Sequence, residues 1–239
     1  MKTPSHAALI TGAARRLGRA MALCLAARGY DLVLHYHSSE ADARQLKHEA
    51  EGFGAEVHLL QGDLRDLNWV ESLMQQAHTA LPHLNLLINN ASAFYPRRLT
   101  ESDLQTLEHF LDLHLKVPFI LTRDFARHCG TGQIINLSDS QVNKYPTAYA
   151  PYILSKKALA ELTALSAKSL GPQIRVNAIA PGYILPPVDG NPDEAAQWQT
   201  RTPLQRLGQI PDITQALESL LDNPFLTGQT LWVDGGHRL

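Results

Sequence analysis

The feature that most constrains the fold of this chain is an alternation of short apolar runs with longer amphipathic stretches along nearly all of its 239 residues. Strands that are apolar on both faces and separated by helices are typical of a parallel sheet covered by helices on both sides. The predicted strands are His6–Thr11, Asp31–His37, Val57–Gln61, Leu84–Asn89, Gln133–Leu137, Ile174–Ile179 and Thr230–Val233. The predicted helices are Leu17–Arg28, Ser39–Glu51, 66–80, 101–128, 149–170 and 211–222. We therefore predict an α/β fold.

One irregular segment interrupts this alternation between residues 182 and 208. It is rich in proline, including Pro186, Pro187, Pro192 and Pro203. Proline breaks helices, and a long loop inside a compact domain is usually functional. We predict that residues 1–239 form a single domain in which 182–208 is a substrate-loop lid.

Composition excludes several classes of function. The formal charge of −2 gives no basic excess of the kind that nucleic-acid binders show. The apolar run at residues 7–10 is too short for a secretion signal or a membrane span. The two cysteines have neither metal-ligand spacing nor a disulfide framework. We expect a cytoplasmic protein with no nucleic-acid, membrane or metal partner.

A glycine-containing loop, Thr11-Gly-Ala-Ala-Arg-Arg-Leu-Gly18, joins the first strand to the first helix. Small residues such as Gly12 let the backbone approach a pyrophosphate, and the following helix supplies N–H donors and a positive dipole end. Arg15 and Arg16 suit a polyanionic ligand through charge-assisted hydrogen bonds. The alternative is an ordinary turn with two solvated arginines. The loop opens a βαβ unit, which favours a dinucleotide site in a single doubly wound sheet of Rossmann type.

The end of the second strand distinguishes NAD from NADP. NAD sites place an Asp or Glu there to bind the ribose 2′-hydroxyl. Here the sequence is His35-Tyr-His-Ser-Ser39, with no carboxylate before Glu40, and Asp31 lies at the opposite end of the strand. A carboxylate would repel a 2′-phosphate, whereas hydroxyls and a nearby arginine accept one. This favours NADP(H) as the cofactor.

Tyr152 and Lys156 are four residues apart at the start of a predicted helix, which puts both side chains on one face. Together with the glycine loop, Asn89-Asn90-Ala91 after the fourth strand and Pro181-Gly182 after the sixth, this pair resembles the short-chain dehydrogenase/reductase family over essentially the whole chain. The resemblance implies that Tyr152 is the general acid and that Lys156 lowers its pKa and holds the nicotinamide ribose. An ammonium beside a phenol does favour the phenolate.

The resemblance also carries over a cofactor site, in which Asp63 contacts the adenine. The residues that it assigns to this site are Gly12, Arg15, Arg16, Leu17, His35, Tyr36, His37, Ser38, Ser39, Asp63, Leu64, Asn90, Ala91, Ser92, Tyr152, Lys156, Pro181, Gly182 and Ile184.

Three positions depart from the common family pattern. Asp139 replaces the usual catalytic Ser thirteen residues before Tyr152, His114 stands where an Asn is usual, and Arg16 replaces the middle glycine of the loop. With Leu34-His-Tyr-His37 and Asn89-Asn-Ala-Ser-Ala-Phe-Tyr-Pro96, these departures resemble the pteridine reductases and the bacterial dihydromonapterin/dihydrofolate reductases. Ser38 stands where some pteridine reductases carry an arginine, so Arg15 and Ser39 would bind the 2′-phosphate.

A pterin fits this set of residues. Phe94 would stack on one face of the flat ring, and Arg16 would face its oxygen or the pyrophosphate. Reduction of a C=N bond needs a proton on nitrogen, which Asp139 can deliver or relay if its pKa is raised. The alternatives are that Phe94 is core packing and that Asp139 caps a loop. The resemblance assigns catalysis to Asp139, Tyr152 and Lys156, and substrate binding to Arg16, Ser92, Phe94, Asp139 and Tyr152.

The predicted function is NADPH-dependent reduction of a dihydropterin, such as dihydrobiopterin, dihydromonapterin or dihydrofolate, to its tetrahydro form. One alternative is a carbonyl reductase acting on a 3-oxoacyl or other ketone substrate, although Asp139 and Arg16 do not help to polarise a ketone. Another is a non-catalytic NADP-binding sensor, a class that usually loses the Tyr/Lys pair retained here. The family resemblance also implies a homotetramer, with helices 101–128 and 149–170 as candidate interfaces.

Overall fold

In the computed structural model, which describes residues 6–186 and 192–239, the strands form one parallel sheet in the order β3-β2-β1-β4-β5-β6-β7. The strands are β1 (Ala7–Ile10), β2 (Asp31–Tyr36), β3 (Val57–Gln61), β4 (Leu84–Asn89), β5 (Gly132–Leu137), β6 (Ile174–Pro181) and β7 (Thr230–Val233). The helices are α1 (Arg16–Ala27), α2 (Glu40–Glu51), α3 (Leu67–Ala80), α4 (Leu104–Leu111), α5 (Val117–His128), α6 (Ala150–Leu170), α7 (Pro192–Arg201) and α8 (Ile210–Asp222). The predicted α/β fold of Rossmann type is confirmed.

The apolar strands are explained by two hydrophobic cores, one on each side of the sheet. Ala8 and Ile10 of β1 pack into a cluster with α1 and α8, whereas Ala7 and Leu9 pack into a cluster with α3 and α5. All four residues are fully buried. A strand between two cores needs apolar residues at successive positions, which is the pattern seen in the sequence.

The predicted helix 101–128 is divided in the structure. The side chain of Asp103 accepts a hydrogen bond from the Thr106 amide and caps α4, so the helix begins at residue 104 after a short 3₁₀ turn, Leu99–Glu101. Between α4 and α5 the backbone widens into a π turn, Asp112–Lys116, which contains the buried His114. Such π turns occur often at functional sites.

The predicted irregular segment 182–208 contains a helix. Residues 192–201 form α7, in which Pro192 occupies the first position, where proline has no amide to leave unpaired. The prediction of an irregular loop is therefore wrong for this part. Pro187 and the rest of 187–191 lie outside the described residues.

The topology predicts where a ligand binds, which is at the carboxyl ends of the central strands. The chain passes from β1 outward to β2 and β3, then returns to β4 on the other side of β1. In open parallel sheets, ligands bind beyond the carboxyl ends of the strands at this reversal of direction. In the parts of the chain that the structure describes, no helix has the length and apolar character to cross a membrane.

Candidate active site

A cleft of about 1110 Å³ opens at the carboxyl ends of the central strands. Its volume exceeds the roughly 300–1,000 Å³ of ordinary small-molecule pockets, so it has room for a dinucleotide and a second ligand. Every residue predicted for the site lines this cleft except Ile184. The lining residues that the sequence analysis missed include Arg65, Tyr95, His109, Tyr149, Tyr183, Leu185 and Trp198.

The side chain of Ile184, unlike those of the other predicted residues, does not line the cleft. Ile184 is 8% exposed and belongs to the hydrophobic core on the α1 and α8 side of the sheet. Its Cδ1 atom lies so close to Gly208 that a Cβ at that glycine would be 2.3 Å away. The chain alternates sides after β6, so Tyr183 and Leu185 line the cleft and Ile184 points into the core.

The glycine loop is packed closely against the end of β4. Gly12 has a φ of +61°, and a Cβ there would lie 3.0 Å from the Cα of Ala91. The Thr11 hydroxyl oxygen accepts from the Asn90 and Ala91 amides, at 3.0 and 3.1 Å, and the Asn90 side chain donates back to the carbonyls of Thr11 and Gly12. A side chain at Gly12 would therefore disturb the cradle in front of α1, which fits a bound pyrophosphate.

Arg16 has a backbone conformation that normally favours glycine, with a φ of +55°. Its guanidinium donates to the carbonyl oxygens of Leu185, at 3.3 Å, and Pro186, at 2.8 Å. Arg16 thus joins the loop after β1 to the segment after β6 across the mouth of the cleft. The guanidinium predicted to bind a ligand therefore lies at the cleft, where it is hydrogen-bonded to these two backbone carbonyls.

The end of the cleft at which the sequence analysis predicts the adenine carries several charged groups. Arg15 is largely exposed and pairs with Asp42 at 2.6 Å. Asp63 accepts from the side chain of Arg65 through both carboxylate oxygens, at 2.6 to 3.0 Å. This hydrogen bonding from Arg65 lowers the pKa of Asp63 to about 2, so the carboxylate stays ionised. Arg65 was missed in the sequence analysis. Its position two residues after Asp63, with the opposite charge, is the sequence signal that could have identified it.

His35 is a buried residue that shapes the loop. Its Nδ1 accepts from the Gly12 amide at 3.1 Å, so Nε2 carries the proton and donates to the Gly62 carbonyl, also at 3.1 Å. Burial lowers its pKa to about 4, which keeps the imidazole neutral at physiological pH. The ring ties the glycine loop to the end of β3.

A hydrogen bond joins Tyr152 of α6 to Asp139, which follows β5. The phenol of Tyr152 donates to Asp139 Oδ2 at 2.6 Å, and the other oxygen of Asp139 accepts from the Gln141 amide at 2.7 Å. Asp139 therefore caps a loop with one oxygen and contacts Tyr152 with the other. Burial of the phenol, followed by the Asp139 charge, raises the pKa of Tyr152 well above its usual value.

Lys156 does not have the expected effect on Tyr152 in this structure. Its ammonium donates to the Leu137 carbonyl at 2.7 Å and lies 5.9 Å from the centre of the Tyr152 ring. Burial lowers the pKa of Lys156 to about 8. The prediction that Lys156 lowers the pKa of Tyr152 is wrong here, because burial and Asp139 determine that pKa and both raise it.

Aromatic side chains form one wall of the cleft. Phe94 stacks on Tyr149 with ring centres 4.7 Å apart and an angle of 11°, and it meets the edge of Tyr152 at 4.9 Å. Phe94 is still 42% exposed, so it is not a core residue. Trp198 of α7 lines the same cleft and packs against Tyr183.

His114 lies beneath this wall, in the π turn between α4 and α5. Its Nε2 lies 2.9 Å from the hydroxyl of Ser92, and its Nδ1 lies 2.8 Å from the hydroxyl of Ser155. Burial, followed by the nearby charge of Lys156, lowers the pKa of His114 well below its usual value. The histidine thus connects the cleft to α6 as a neutral side chain.

Comparisons with known proteins extend over nearly the whole chain. Residues 12–238 match the protein family described as enoyl-(acyl carrier protein) reductase. An uncharacterized oxidoreductase of Mycobacterium tuberculosis is 35% identical over 96% of this chain and 90% of its own length. The 3-oxoacyl-[acyl-carrier-protein] reductase FabG of Staphylococcus aureus is 32% identical over 97% of this chain and 98% of its own.

Two similar solved structures are described as dihydrofolate reductases. FolM alternative dihydrofolate reductase 1 of Brucella suis, in complex with NADP, superposes with a TM-score of 0.93 at 31% identity, covering 99% of this chain and 96% of its own. The corresponding protein of Brucella canis, also complexed with NADP, has a TM-score of 0.93 at 32% identity, covering 98% and 94%. The relatives therefore include both ketone reductases and a dihydrofolate reductase.

Proposed function

The chain belongs to the short-chain dehydrogenase/reductase family, and we propose that it uses NADPH to reduce a dihydropterin to the tetrahydro form. The candidate substrates are dihydrobiopterin, dihydromonapterin and dihydrofolate. The observation that carries the proposal is the 2.6 Å hydrogen bond from Tyr152 to Asp139. A ketone reductase of this family needs a neutral serine at this position, whereas a carboxylate can move a proton.

The chemistry of C=N reduction uses this pair directly. NADPH, when bound, supplies a hydride to the carbon of the C=N bond. The nitrogen takes a proton, so the product gains one C–H and one N–H bond. Tyr152 holds a proton at its hydroxyl because its pKa is raised, and Asp139 accepts the hydrogen bond that this proton makes. After Tyr152 has given its proton to the nitrogen, Asp139, which is only partly buried, can take up a proton from solvent and pass it to the phenolate.

The shape of the cleft supports a flat substrate. Phe94 is held by Tyr149 and exposed to the cleft, which gives a rigid aromatic surface for stacking. Arg16 offers a cation at the mouth of the same cleft. A planar, nitrogen-rich ring with a carbonyl oxygen matches both groups.

The choice of NADPH is supported from two directions. The end of β2 carries His37, Ser38 and Ser39, where an NAD site would have a carboxylate, and Arg15 lies beside it. The two FolM structures contain NADP.

A second candidate function is reduction of a 3-oxoacyl thioester. It is favoured by the 32% identity to FabG over almost the whole chain. Tyr152 and Lys156 would serve this reaction equally well. Asp139 argues against it, because an anionic carboxylate near a ketone oxygen disfavours the negative charge that develops there.

The deciding experiment is a substrate panel followed by NADPH oxidation. The panel contains dihydrobiopterin, dihydromonapterin, dihydrofolate, folate and a 3-oxoacyl thioester. We expect the highest kcat/KM with a dihydropterin. A higher kcat/KM with the thioester would replace the pterin proposal with the ketone one.

A further inference from the structure

The hydrogen-bond chain through His114 has a direction that the groups at its two ends impose. At one end, the backbone amide of Ala93 lies 3.3 Å from Nε2 of His114, and an amide can only donate. At the other end, the hydroxyl of Ser155 donates to the carbonyl oxygen of Tyr152 at 2.6 Å, and a carbonyl can only accept.

These two ends determine the tautomer of His114. Because Nε2 accepts from Ala93, the proton of the neutral ring is on Nδ1. The single hydroxyl proton of Ser155 is used in the hydrogen bond to the Tyr152 carbonyl. The Ser155 oxygen must therefore accept from Nδ1 of His114. Both requirements give the same assignment, and a doubly protonated ring would violate the contact with Ala93.

The same reasoning determines the direction of the Ser92 hydroxyl. Nε2 of His114 has a lone pair and no proton, so the Ser92 hydroxyl 2.9 Å away donates to it, a shorter contact than the 3.4 Å from that hydroxyl to the carbonyl oxygen of Ala93. Ser92 is exposed and lines the cleft, whereas His114 is 1% exposed. The proton of Ser92 thus points into the protein, and the lone pairs of its oxygen remain for a ligand.

We propose that His114 is a positioning residue whose Nδ1–H tautomer, held by Ser155, makes Ser92 a pure hydrogen-bond acceptor toward the bound ligand. The ligand group that it selects is an N–H or O–H donor, such as the amino group of a pterin or the carboxamide of a nicotinamide. For the identity of the substrate, the inference rests on the proposed function.

The fold explains how one side chain reaches all these partners. His114 projects from the π turn, and its contacts come from the loop after β4 and from α6. The wider π turn displaces this residue from ordinary helical register. A substitution at His114 would therefore release Ser92 on one side and alter the support of Tyr152 on the other.

The first test is spectroscopic and does not depend on turnover. Long-range ¹⁵N–¹H spectra of histidine-labelled protein distinguish the two neutral tautomers, and the His114→Gln variant identifies the signal of His114. We expect Nδ1 to be protonated, with no titration between about pH 5 and 8, where ordinary histidines change charge. A proton on Nε2, or titration in that range, would overturn the proposal.

The second test separates KM from kcat for a dihydropterin. Ser92→Ala and His114→Leu should each raise KM about three- to tenfold, the effect of one lost hydrogen bond, with a smaller change in kcat. The double variant should have a KM no higher than Ser92→Ala alone. His114→Gln should raise KM much less than His114→Leu does, because the glutamine amide offers both a donor and an acceptor. The matched control is His128→Gln, at the exposed end of α5, which should leave KM unchanged.

The outcomes distinguish this proposal from the proposed function. Independent, multiplying effects of Ser92→Ala and His114→Leu would show that His114 does not act through Ser92. If the substrate panel selects a ketone instead, the pterin assignment fails. The same variants are then compared with that ketone as substrate. The tautomer measurement still tests the role of His114, because it does not depend on the substrate.

Discussion

The hydroxyl of Tyr152 donates to Asp139 Oδ2 at 2.6 Å, so the proposed general acid has a carboxylate as its partner. The other oxygen of that carboxylate is held by the Gln141 amide. Asp139 is thus held at one carboxylate oxygen and hydrogen-bonded to the phenol at the other. These two contacts fix the orientation of the carboxylate relative to the Tyr152 hydroxyl, which suits it to relay a proton.

The first prediction follows from this pair. Asp139→Asn keeps size and polarity but cannot relay a proton, so we expect dihydropterin turnover to fall roughly 10²–10⁴-fold, the range for positioned general acids, while NADPH binding changes little. Asp139→Ser recreates the common family residue, yet we expect no gain of ketone reduction, because Phe94 and Arg16 still shape the cleft. Steady-state kinetics with a dihydropterin and a small ketone measure both effects. Near-normal pterin turnover in Asp139→Asn would refute the proton role.

The second prediction concerns the cofactor. We expect kcat/KM to be at least about tenfold higher with NADPH than with NADH, because a charge-assisted contact to phosphate is lost with NADH. Arg15→Ala should remove much of this preference. Arg44→Ala, an exposed arginine on α2 that pairs with Glu40 away from the cleft, is the control. Equal specificity constants for the two nucleotides in the wild type would contradict the prediction.

The third prediction concerns stability at acidic pH. His35 has a folded-state pKa of about 4, below its usual value of 6.5, because burial disfavours its charged form. Between these values the unfolded chain binds a proton that the folded chain does not, so stability falls as pH falls from about 6.5 to 4, by roughly 3 kcal/mol for this group. Urea unfolding at several pH values should show a shallower slope for His35→Gln. His48→Gln, at an exposed position, should leave the slope as it is in the wild type.

The fourth prediction is a homotetramer, which family membership suggests. Phe119 of α5 and Leu154 and Leu165 of α6 are 51%, 49% and 62% exposed, so these helices retain apolar surface for a partner. Light scattering should give four times the 26.4 kDa chain mass, and Leu165→Glu should reduce it. Phe53→Asp, at an exposed aromatic residue after α2, controls for general effects of surface charge. A stable monomer at micromolar concentration would exclude the assembly.

The parts of this structure that sequence predicts well are those with local causes. The strands carry apolar residues on both faces because each lies between two cores, and Tyr152 and Lys156 share a helix face because of their spacing. The π turn at Asp112–Lys116 is different, because the partners of His114 are Ser92 and Ser155, which are distant in sequence. Whether Ile184 or its neighbours face the cleft likewise depends on how the chain leaves β6, which no local pattern records.

The left-handed backbone at Arg16 has a consequence for anyone who modifies this protein. An ordinary side chain in that conformation costs about 1–2 kcal/mol relative to glycine. A selection for thermal tolerance would therefore favour Arg16→Gly, a change that also deletes the guanidinium between the two sides of the cleft. Heat-adapted variants of this chain would then be obtained at the expense of ligand recognition, and stability and activity would have to be selected together at this position.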